Sequence, residues 1–281
     1  MVLRVDAYAK VNLALHILGQ RSDGYHLLDS IVTFARYGDT LTIAPSSNEI
    51  SLELHGPEAD NLKADADNLV MRAAKALAGE RNNLGARLTL TKRLPVSSGI
   101  GGGSADAAAA LRGLNEFWAL NLPQEKLAAI ALELGADVPM CLASTPLRAR
   151  GIGEDITPLA LPSKNMVLVN PRISVSTPAV FSALAIKENP AIADTLSRPL
   201  WESIADTTRN DLQNPAIALV PEISQCLETL SAAPGCRFAR MSGSGATCFG
   251  IFDEDEAANA AKEAIAVKHP QWWVVATQTV S

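Results

Sequence analysis

The sequence predicts an α/β protein of two domains, each of which combines β-strands with α-helices. Its 281 residues exceed what one compact core usually holds. Segments that alternate apolar and polar residues, as strands do, are interspersed with segments of helical periodicity. Proline and glycine are concentrated in residues 144–163, and a new series of strands and helices begins after them. We therefore predict domains at residues 1–155 and 156–281.

The predicted N-terminal domain begins with strands. Residues 4–17 alternate, which places Lys10 and Asn12 together on the polar face of a half-buried strand. An Asp-Gly turn then leads through Tyr25 and His26 into a second strand. The full prediction for this domain is strands at 4–17, 27–34, 40–43, 50–54 and 88–94, with helices at 67–78, 104–120 and 123–134.

A glycine-rich segment, PVSSGIGGGSADAA at Pro95–Ala108, joins a strand to an alanine-rich helix. We expect Ser104 to be the N-cap of that helix and Asp106 to lie in its first turn. A helix that starts after a glycine loop presents free N–H groups and the positive end of its dipole, which bind phosphate. No lysine follows the glycines, so a Walker A loop is excluded, and Ser104 breaks the dinucleotide-binding spacing. We predict a nucleotide-phosphate site, with an ordinary strand–helix turn as the alternative.

An aspartate in the sequence GADVP is a candidate proton acceptor. Asp137 follows a predicted helix, and Pro139 is expected to hold Val138 extended, so the aspartate would lie on a short linker. A carboxylate fixed there can accept a proton from a hydroxyl group. A loop aspartate that bonds its own backbone is the alternative, and it is the commoner one.

The predicted C-terminal domain has its own strands and helices. Thr177 is expected to be the N-cap of its first helix. Residues 241–247 form a second glycine cluster, which could face the first loop across a cleft. The other elements predicted here are strands at 166–169, 248–252 and 272–279, and helices at 199–206, 210–219, 222–232 and 254–267.

Net charge, cysteine spacing and hydropathy exclude several classes of protein. A net charge of −6 argues against a nucleic-acid-binding surface, which would be basic. The four cysteines form no CxxC pair and no metal-ligand spacing, as expected of buried thiols in a reducing compartment. Neither a signal peptide nor a membrane span is visible. We expect a cytoplasmic protein without nucleic-acid or membrane partners, as a monomer or a weak homodimer.

Taken together, these segments resemble the GHMP kinase family, whose three motifs occur here in order over nearly the whole chain. They are AKVNL at 9–13, the glycine loop at 95–108 with Ile100 in place of the usual leucine, and SGSGA at 242–246. The resemblance implies an N-terminal domain like domain 2 of ribosomal protein S5 and a ferredoxin-like C-terminal domain. ATP and the substrate would meet in a cleft between them, with Mg²⁺ accompanying the ATP and with no metal site of the protein's own.

Four strings narrow the resemblance to one branch of the family. They are GQRSDGYH at 19–26, GGGS at 101–104, GADVP at 135–139 and GIGE at 151–154. The branch phosphorylates an alcohol joined to cytidine diphosphate, in isoprenoid precursor synthesis by the non-mevalonate route. Kinases for mevalonate-type alcohols or homoserine, and a non-catalytic sensor on the same fold, are the alternatives. Tyr25, His26 and Phe181 favour a substrate with a base, and Lys10 together with Asp137 argues against a sensor.

The resemblance also implies roles for single residues. Asp137 matches the catalytic aspartate, as a base or orienting carboxylate, and Lys10 matches the lysine that stabilises charge beside the hydroxyl. Tyr25 and Phe181 match aromatic residues that sandwich cytosine, and His26 a residue that hydrogen-bonds it. The ATP-binding positions are Asn68, near adenine, and Pro95, Val96, Ser97, Ser98, Gly99, Ile100, Gly101, Gly102, Gly103, Ser104 and Ala105. The substrate-binding positions are Asn12, Tyr25, His26, Thr177, Phe181 and Gly243.

Two positions depart from the pattern of the family. Val32 stands where relatives often have an aromatic residue near the cytosine, so the pocket is expected to have a thinner apolar wall. Ala105 replaces a serine found in some relatives. We expect no loss from this replacement, because such a loop acts mainly through backbone N–H groups.

Overall fold

The computed structural model describes residues 2–60, 62–79, 84–194, 196 and 199–281. Ten strands and nine helices lie within these residues, which confirms the predicted mixture of α and β structure. The strands are β1 (Leu3–Gln20), β2 (His26–Ala44), β3 (Ile50–His55), β4 (Ala86–Thr91), β5 (Leu147–Gly151), β6 (Asp155–Pro158), β7 (Asn165–Asn170), β8 (Cys236–Met241), β9 (Cys248–Phe252) and β10 (Trp273–Gln278). The helices are α1 (Leu69–Ala78), α2 (Gly102–Phe117), α3 (Gln124–Leu134), α4 (Val138–Ala143), α5 (Thr177–Ser182), α6 (Leu200–Thr207), α7 (Gln213–Leu219), α8 (Glu222–Ser231) and α9 (Asp255–Lys268).

The chain divides into two compact units, each built from several segments. Unit 1 comprises the described residues of Met1–Ala9, Gly38–Val96 and Gly101–Ser144. Unit 2 comprises those of Lys10–Tyr37, Ser97–Ile100 and Thr145–Ser281. The long strands β1 and β2 therefore contribute residues to both units. The boundary at residues 155 and 156 stays a prediction.

Unit 1 packs helices α1 to α4 with strands β3, β4 and the end of β2. The end of β2 pairs antiparallel with β4, and β3 pairs parallel with β4. Leu41 and Ile43 of β2 and Leu88 and Leu90 of β4 are buried. Helix α2 lies close to the strands at Gly113, where a Cβ atom would come within 2.6 Å of the Ile43 side chain.

Unit 2 contains a four-stranded antiparallel sheet in the order β10, β7, β9, β8. Its core includes Val167 and Val169 of β7, Phe252 of β9, and Ile223 and Leu230 of α8. The first half of β2 pairs antiparallel with β5, and β5 pairs with β6. In the part of the chain that the structure covers, no helix is both long and apolar enough to cross a bilayer.

Two predictions about strands were wrong. Strand β2 runs without interruption from His26 to Ala44, although a break was expected between two shorter strands. The proline- and glycine-rich residues 144–163 contain β5 and β6, which were not predicted and are joined by residues 152–154, where Gly153 adopts a φ of 114°. A short hairpin explains that composition as well as a linker between domains does, because both need turn residues.

Three predictions about helix starts also need correction. Gly101, not Ser104, is the N-cap of α2, so Asp106 is the fifth helical residue and lies beyond the first turn. Ser176, not Thr177, caps α5 by accepting a hydrogen bond from Ala179 N. Asp137 precedes helix α4 directly, with no extended linker. Pro139 fits there because the N–H groups of a first turn have no helical acceptor.

Candidate active site

The first half of the glycine loop, residues 97–100, is held in unit 2 by hydrogen bonds to two other segments. The Lys10 N–H donates to Ile100 O over 2.9 Å, and the Thr247 N–H donates to Ser98 O over 3.1 Å. The Ser242 hydroxyl donates to Gly99 O over 3.0 Å. The second glycine cluster therefore contacts the first loop directly, and the expectation that a cleft separates them was wrong for these residues.

Two glycines are required by this contact between the loops. A Cβ atom on Gly99 would lie 2.5 Å from Ser242 O, and one on Gly243 would lie 2.7 Å from Gly99 O. Both residues also adopt positive φ angles, 76° and 57°, which side chains disfavour. Ser97, an exposed residue of the same loop, shares this backbone region with a φ of 52°.

The second half of the loop begins helix α2 in unit 1. Gly101 caps the helix in the left-handed conformation and makes no side-chain cap hydrogen bond, since glycine has no side chain. The first intrahelical bond runs from Ala105 N to Gly101 O over 2.8 Å. The N–H groups of Gly102, Gly103 and Ser104 thus have no acceptor within the helix. Together with the positive end of the helix dipole, they form an arrangement that suits a phosphate group.

A buried lysine lies next to this helix start. Lys92 donates to Asp106 Oδ2 over 2.6 Å and forms a second, shorter hydrogen bond with Asp39. A Cβ atom on Gly102 would lie 3.6 Å from Lys92 Nζ, so the ammonium adjoins the first residue of α2. Burial acts to lower the pKa of Lys92, but the two carboxylates outweigh it and raise that pKa above its ordinary value.

The two aspartates beside Lys92 differ in their hydrogen bonds. Asp39 Oδ1 accepts from the backbone N–H groups of Arg93 and Leu94, at 2.5 and 2.9 Å. Asp106 Oδ1 is buried without a hydrogen-bond partner. Burial raises the pKa of Asp106 to about 7, although the charge of Lys92 acts in the opposite direction. The buried Asp106 carboxyl group therefore holds a proton more strongly than an exposed aspartate does.

Asn12 presents an unsatisfied oxygen in unit 2. Its Nδ2 donates to Ser30 Oγ over 2.8 Å, and its backbone N–H donates to Ser242 Oγ over 3.1 Å. Asn12 Oδ1 is buried without a hydrogen-bond partner. Lys10, two residues earlier on β1, is buried as well. A buried acceptor without a partner is costly. Because Asn12 is also bonded to Ser242, which contacts the glycine loop, we take its Oδ1 as a candidate to accept a hydrogen bond from a ligand.

Two predicted base-binding residues are in contact with each other. The rings of His26 and Phe181 stack with centroids 4.7 Å apart and an interplanar angle of 29°. Within the described part of the chain, His26 Nε2 is buried without a hydrogen-bond partner. Burial lowers the pKa of His26, and the charge of Lys187 adds to this effect, so the neutral imidazole is favoured.

Tyr25, by contrast, is 58% exposed. Thr177 Oγ1 lies 2.7 Å from the Ser244 hydroxyl.

Asn68 and Asp137 belong to helix starts in unit 1. Asn68 caps α1, since its Oδ1 accepts from Val70 N and its Nδ2 donates to Lys63 O, each over 3.0 Å. Asp137 is half-buried at the start of α4. Their roles toward adenine and toward the hydroxyl stay predictions. Over the described ranges, no group of three or more His, Cys, Asp or Glu side chains is suited to hold a metal ion.

Sequence reasoning missed four polar residues that organise these sites. Ser30 and Ser242 supply the hydrogen bonds around Asn12, and Asp39 and Lys92 form the buried cluster under α2. Ser242 lies in the second glycine cluster at residues 241–247, and this position in the sequence is a usable signal. The other three each share a strand face with apolar neighbours, as Lys92 does with Leu88 and Leu90, so alternation indicates their burial but not which partners they bind.

Comparison with known proteins places the chain among kinases. A family model described as "GHMP kinases N terminal domain" matches residues 68–145, and one described as "GHMP kinases C terminal" matches residues 189–269. A protein of Cereibacter sphaeroides, named 4-diphosphocytidyl-2-C-methyl-D-erythritol kinase, is 55% identical over 280 residues, which cover 98% of each chain. A crystal structure of a 4-(cytidine 5'-diphospho)-2C-methyl-D-erythritol kinase superposes with a TM-score of 0.84 at 32% identity, over 99% of this chain and all of the other. A homoserine kinase from Cytophaga hutchinsonii shares the fold, with a TM-score of 0.70 at 18% identity and coverage of 98% and 94%.

Proposed function

This chain belongs to the GHMP kinase family, and we propose that it transfers the γ-phosphoryl group of ATP to the 2-hydroxyl of 4-diphosphocytidyl-2-C-methyl-D-erythritol. Membership of a kinase family implies ATP as the phosphoryl donor. The acceptor is proposed because the Cereibacter relative carries that activity in its name and matches this chain from end to end. Such a step belongs to non-mevalonate isoprenoid precursor synthesis.

The observation that carries this choice of acceptor is the stacked pair of His26 and Phe181. An aromatic face beside a buried, unpartnered imidazole nitrogen suits a planar base that both stacks and hydrogen-bonds. The neutral imidazole favoured by burial keeps one donor and one acceptor nitrogen, which a cytosine edge can match. Mevalonate and homoserine have no ring to occupy such a site.

The start of α2 supports the binding of the ATP phosphates. Phosphoryl transfer depends mainly on positioning and on stabilising charge. The N–H groups of Gly102, Gly103 and Ser104 provide donors for phosphate oxygens without any side chain. Mg²⁺ is proposed to arrive as part of the MgATP substrate, and phosphate oxygens would be its main ligands.

Asp137 and Lys10 are proposed as the residues that act on the hydroxyl. Asp137 would accept the proton of the hydroxyl or orient it, and Lys10 would stabilise the negative charge that develops. The position of Lys10 is well defined in unit 2, because its side chain is buried and its N–H is bonded to Ile100 O. Asp137 is fixed by its place at the start of α4.

The acceptor is tested by measuring ADP release from MgATP with three alcohols. We expect turnover with 4-diphosphocytidyl-2-C-methyl-D-erythritol and none above background with mevalonate or homoserine. Turnover confined to either of the other two alcohols would overturn the proposed acceptor while leaving the kinase chemistry in place. No turnover with any of them, despite binding of ATP, would favour a sensor.

The role of Asp137 is tested by the Asp137→Asn variant, which keeps the size of the side chain and removes its basicity. We expect kcat to fall by about 10²–10⁴-fold, the usual contribution of a positioned base. Asp155→Asn, at an exposed position of β6, is the matched control and should keep full activity. A variant at Asp137 with nearly full kcat would rule out base catalysis.

A further inference from the structure

The orientation of the Asn12 side chain is determined by a second residue, Ser30. The Ser30 hydroxyl donates its single proton to Ala14 O over 2.6 Å. It therefore has no proton left for Asn12 and must act as the acceptor in the 2.8 Å contact between the two side chains. Within the Asn12 amide only the nitrogen can donate, so this nitrogen faces Ser30 and Oδ1 is the atom on the other branch.

The backbone around Asn12 is fixed as well. Its N–H donates to Ser242 Oγ, and Ser242 in turn donates to Gly99 O of the glycine loop. Both the main chain and the side chain of Asn12 are thus held in one arrangement within unit 2. The atom left over is Oδ1, a neutral acceptor that is buried and has no hydrogen-bond partner among the residues that the structure describes.

The chemistry of this atom decides what it can bind. Phosphate oxygens are acceptors, so the Asn12 oxygen gains nothing from the triphosphate of ATP. A hydroxyl group is a donor and fits it. A neutral amide oxygen also orients a hydroxyl without placing a negative charge where a phosphoryl group arrives, which a carboxylate would do.

We propose that Ser30 is a positioning residue, which holds the Asn12 amide so that Oδ1 accepts a hydrogen bond from a hydroxyl of the alcohol substrate. This inference rests on the proposed function, because it requires an alcohol acceptor. Ser30 does not touch the substrate; it acts through Asn12. Without Ser30, the amide can rotate and turn its NH₂ group toward the substrate hydroxyl. The NH₂ group cannot accept the hydroxyl proton, so that hydrogen bond is lost.

The test measures binding of 4-diphosphocytidyl-2-C-methyl-D-erythritol by calorimetry, and the KM for MgATP by ADP release. We expect Ser30→Ala to weaken binding of the alcohol about tenfold, the effect of one lost hydrogen bond in a buried site, and to change the KM for MgATP less than about twofold. Thr33→Val is the matched control. It removes another buried hydroxyl of β2, one that has no hydrogen-bond partner in the described structure, and should change neither value.

A double variant separates positioning from general damage to the fold. In an Asn12→Ala background, Ser30→Ala should have no further effect on binding of the alcohol, because Ser30 would act only through Asn12. An undiminished effect in that background would overturn the proposal, and so would wild-type affinity in Ser30→Ala. A parallel loss of affinity for both substrates with a lower Tm would show a structural role and would overturn it too. Absence of alcohol binding in the wild-type protein would instead refute the proposed function.

Discussion

Replacing Lys92 with methionine tests whether its ammonium compensates the buried charge beneath helix α2. The side chains of Lys92, Asp39 and Asp106 are 3%, 0% and 5% exposed. At 2.6 Å, the Lys92–Asp106 pair has a Coulomb attraction of about 6 kcal/mol for an effective dielectric constant of about 20. Without Lys92, one carboxyl group can take up a proton, which makes the loss smaller than the full Coulomb attraction. We therefore expect the free energy of unfolding to fall by about 3–5 kcal/mol, the range for broken buried pairs.

Urea unfolding at pH 7.5, followed by tryptophan fluorescence, measures this loss. The matched control is Arg21→Met, which breaks a surface pair with Asp23 whose side chains are 47% and 45% exposed. That variant should lose no more than about 1 kcal/mol, because exposed ion pairs contribute little. Adding Asp106→Asn to Lys92→Met should restore part of the stability, since one buried carboxylate then remains. A loss for Lys92→Met as small as the control's would refute the reasoning.

Two further predictions concern the same helix start and the glycine loops. The pKa of Asp106 is raised to about 7 by burial, against about 3.9 in an unfolded chain, so the folded state holds the proton more strongly between these values. The contribution of Asp106 to stability therefore falls as the pH rises from about 4 to about 7. Urea titrations at pH 5 and pH 8 measure this fall, and Asp106→Asn should make it smaller. An unchanged fall would contradict the raised pKa of Asp106. Gly243→Ala should cost at least about 1–3 kcal/mol in thermal unfolding, because its Cβ atom would meet Gly99 O at 2.7 Å. Gly24→Ala, with a φ of 91° but open space around it, should cost less, and equal losses would mean that the close contact has no effect.

Local patterns were sufficient to predict much of the fold. The alternation of residues 4–17 identified β1 and placed Lys10 and Asn12 on one face, because the side chains of a strand alternate with a period of two. That face is buried as well, so the prediction of a half-buried strand was wrong at these residues. Helices α3 and α9 were predicted to within one residue at each end. Where two neighbouring residues both suit the cap of a helix, the sequence could not decide between them. Ser176 and Thr177 are both good caps, and which of them has the extended backbone depends on how the chain enters α5.

The buried polar clusters could not be predicted, because their members are far apart in the sequence. Lys92 is separated from Asp39 by 53 positions and from Asp106 by 14. Alternation places Lys92 on the same strand face as Leu88 and Leu90, but only the packing of α2 shows that Asp106 lies beside it. Ser30 is likewise 18 positions from Asn12, and no local pattern links the two residues. Such pairs satisfy one another only once the fold has formed, because burial raises the cost of an unpaired polar group.

The glycines of the first loop look alike in the sequence, but they differ in how much space surrounds them. Gly99 could not carry a side chain, because Ser242 O and Gly245 O lie 2.5 and 2.7 Å from its Cβ position. At Gly102 and Gly103 the nearest atoms are 3.6 and 3.4 Å away, which is ordinary van der Waals contact. The fold itself therefore has room for alanine at these two positions, and alanine would even favour the helix. Under the proposed function, glycine at these positions leaves space for the triphosphate of ATP to reach the backbone N–H groups at the start of α2.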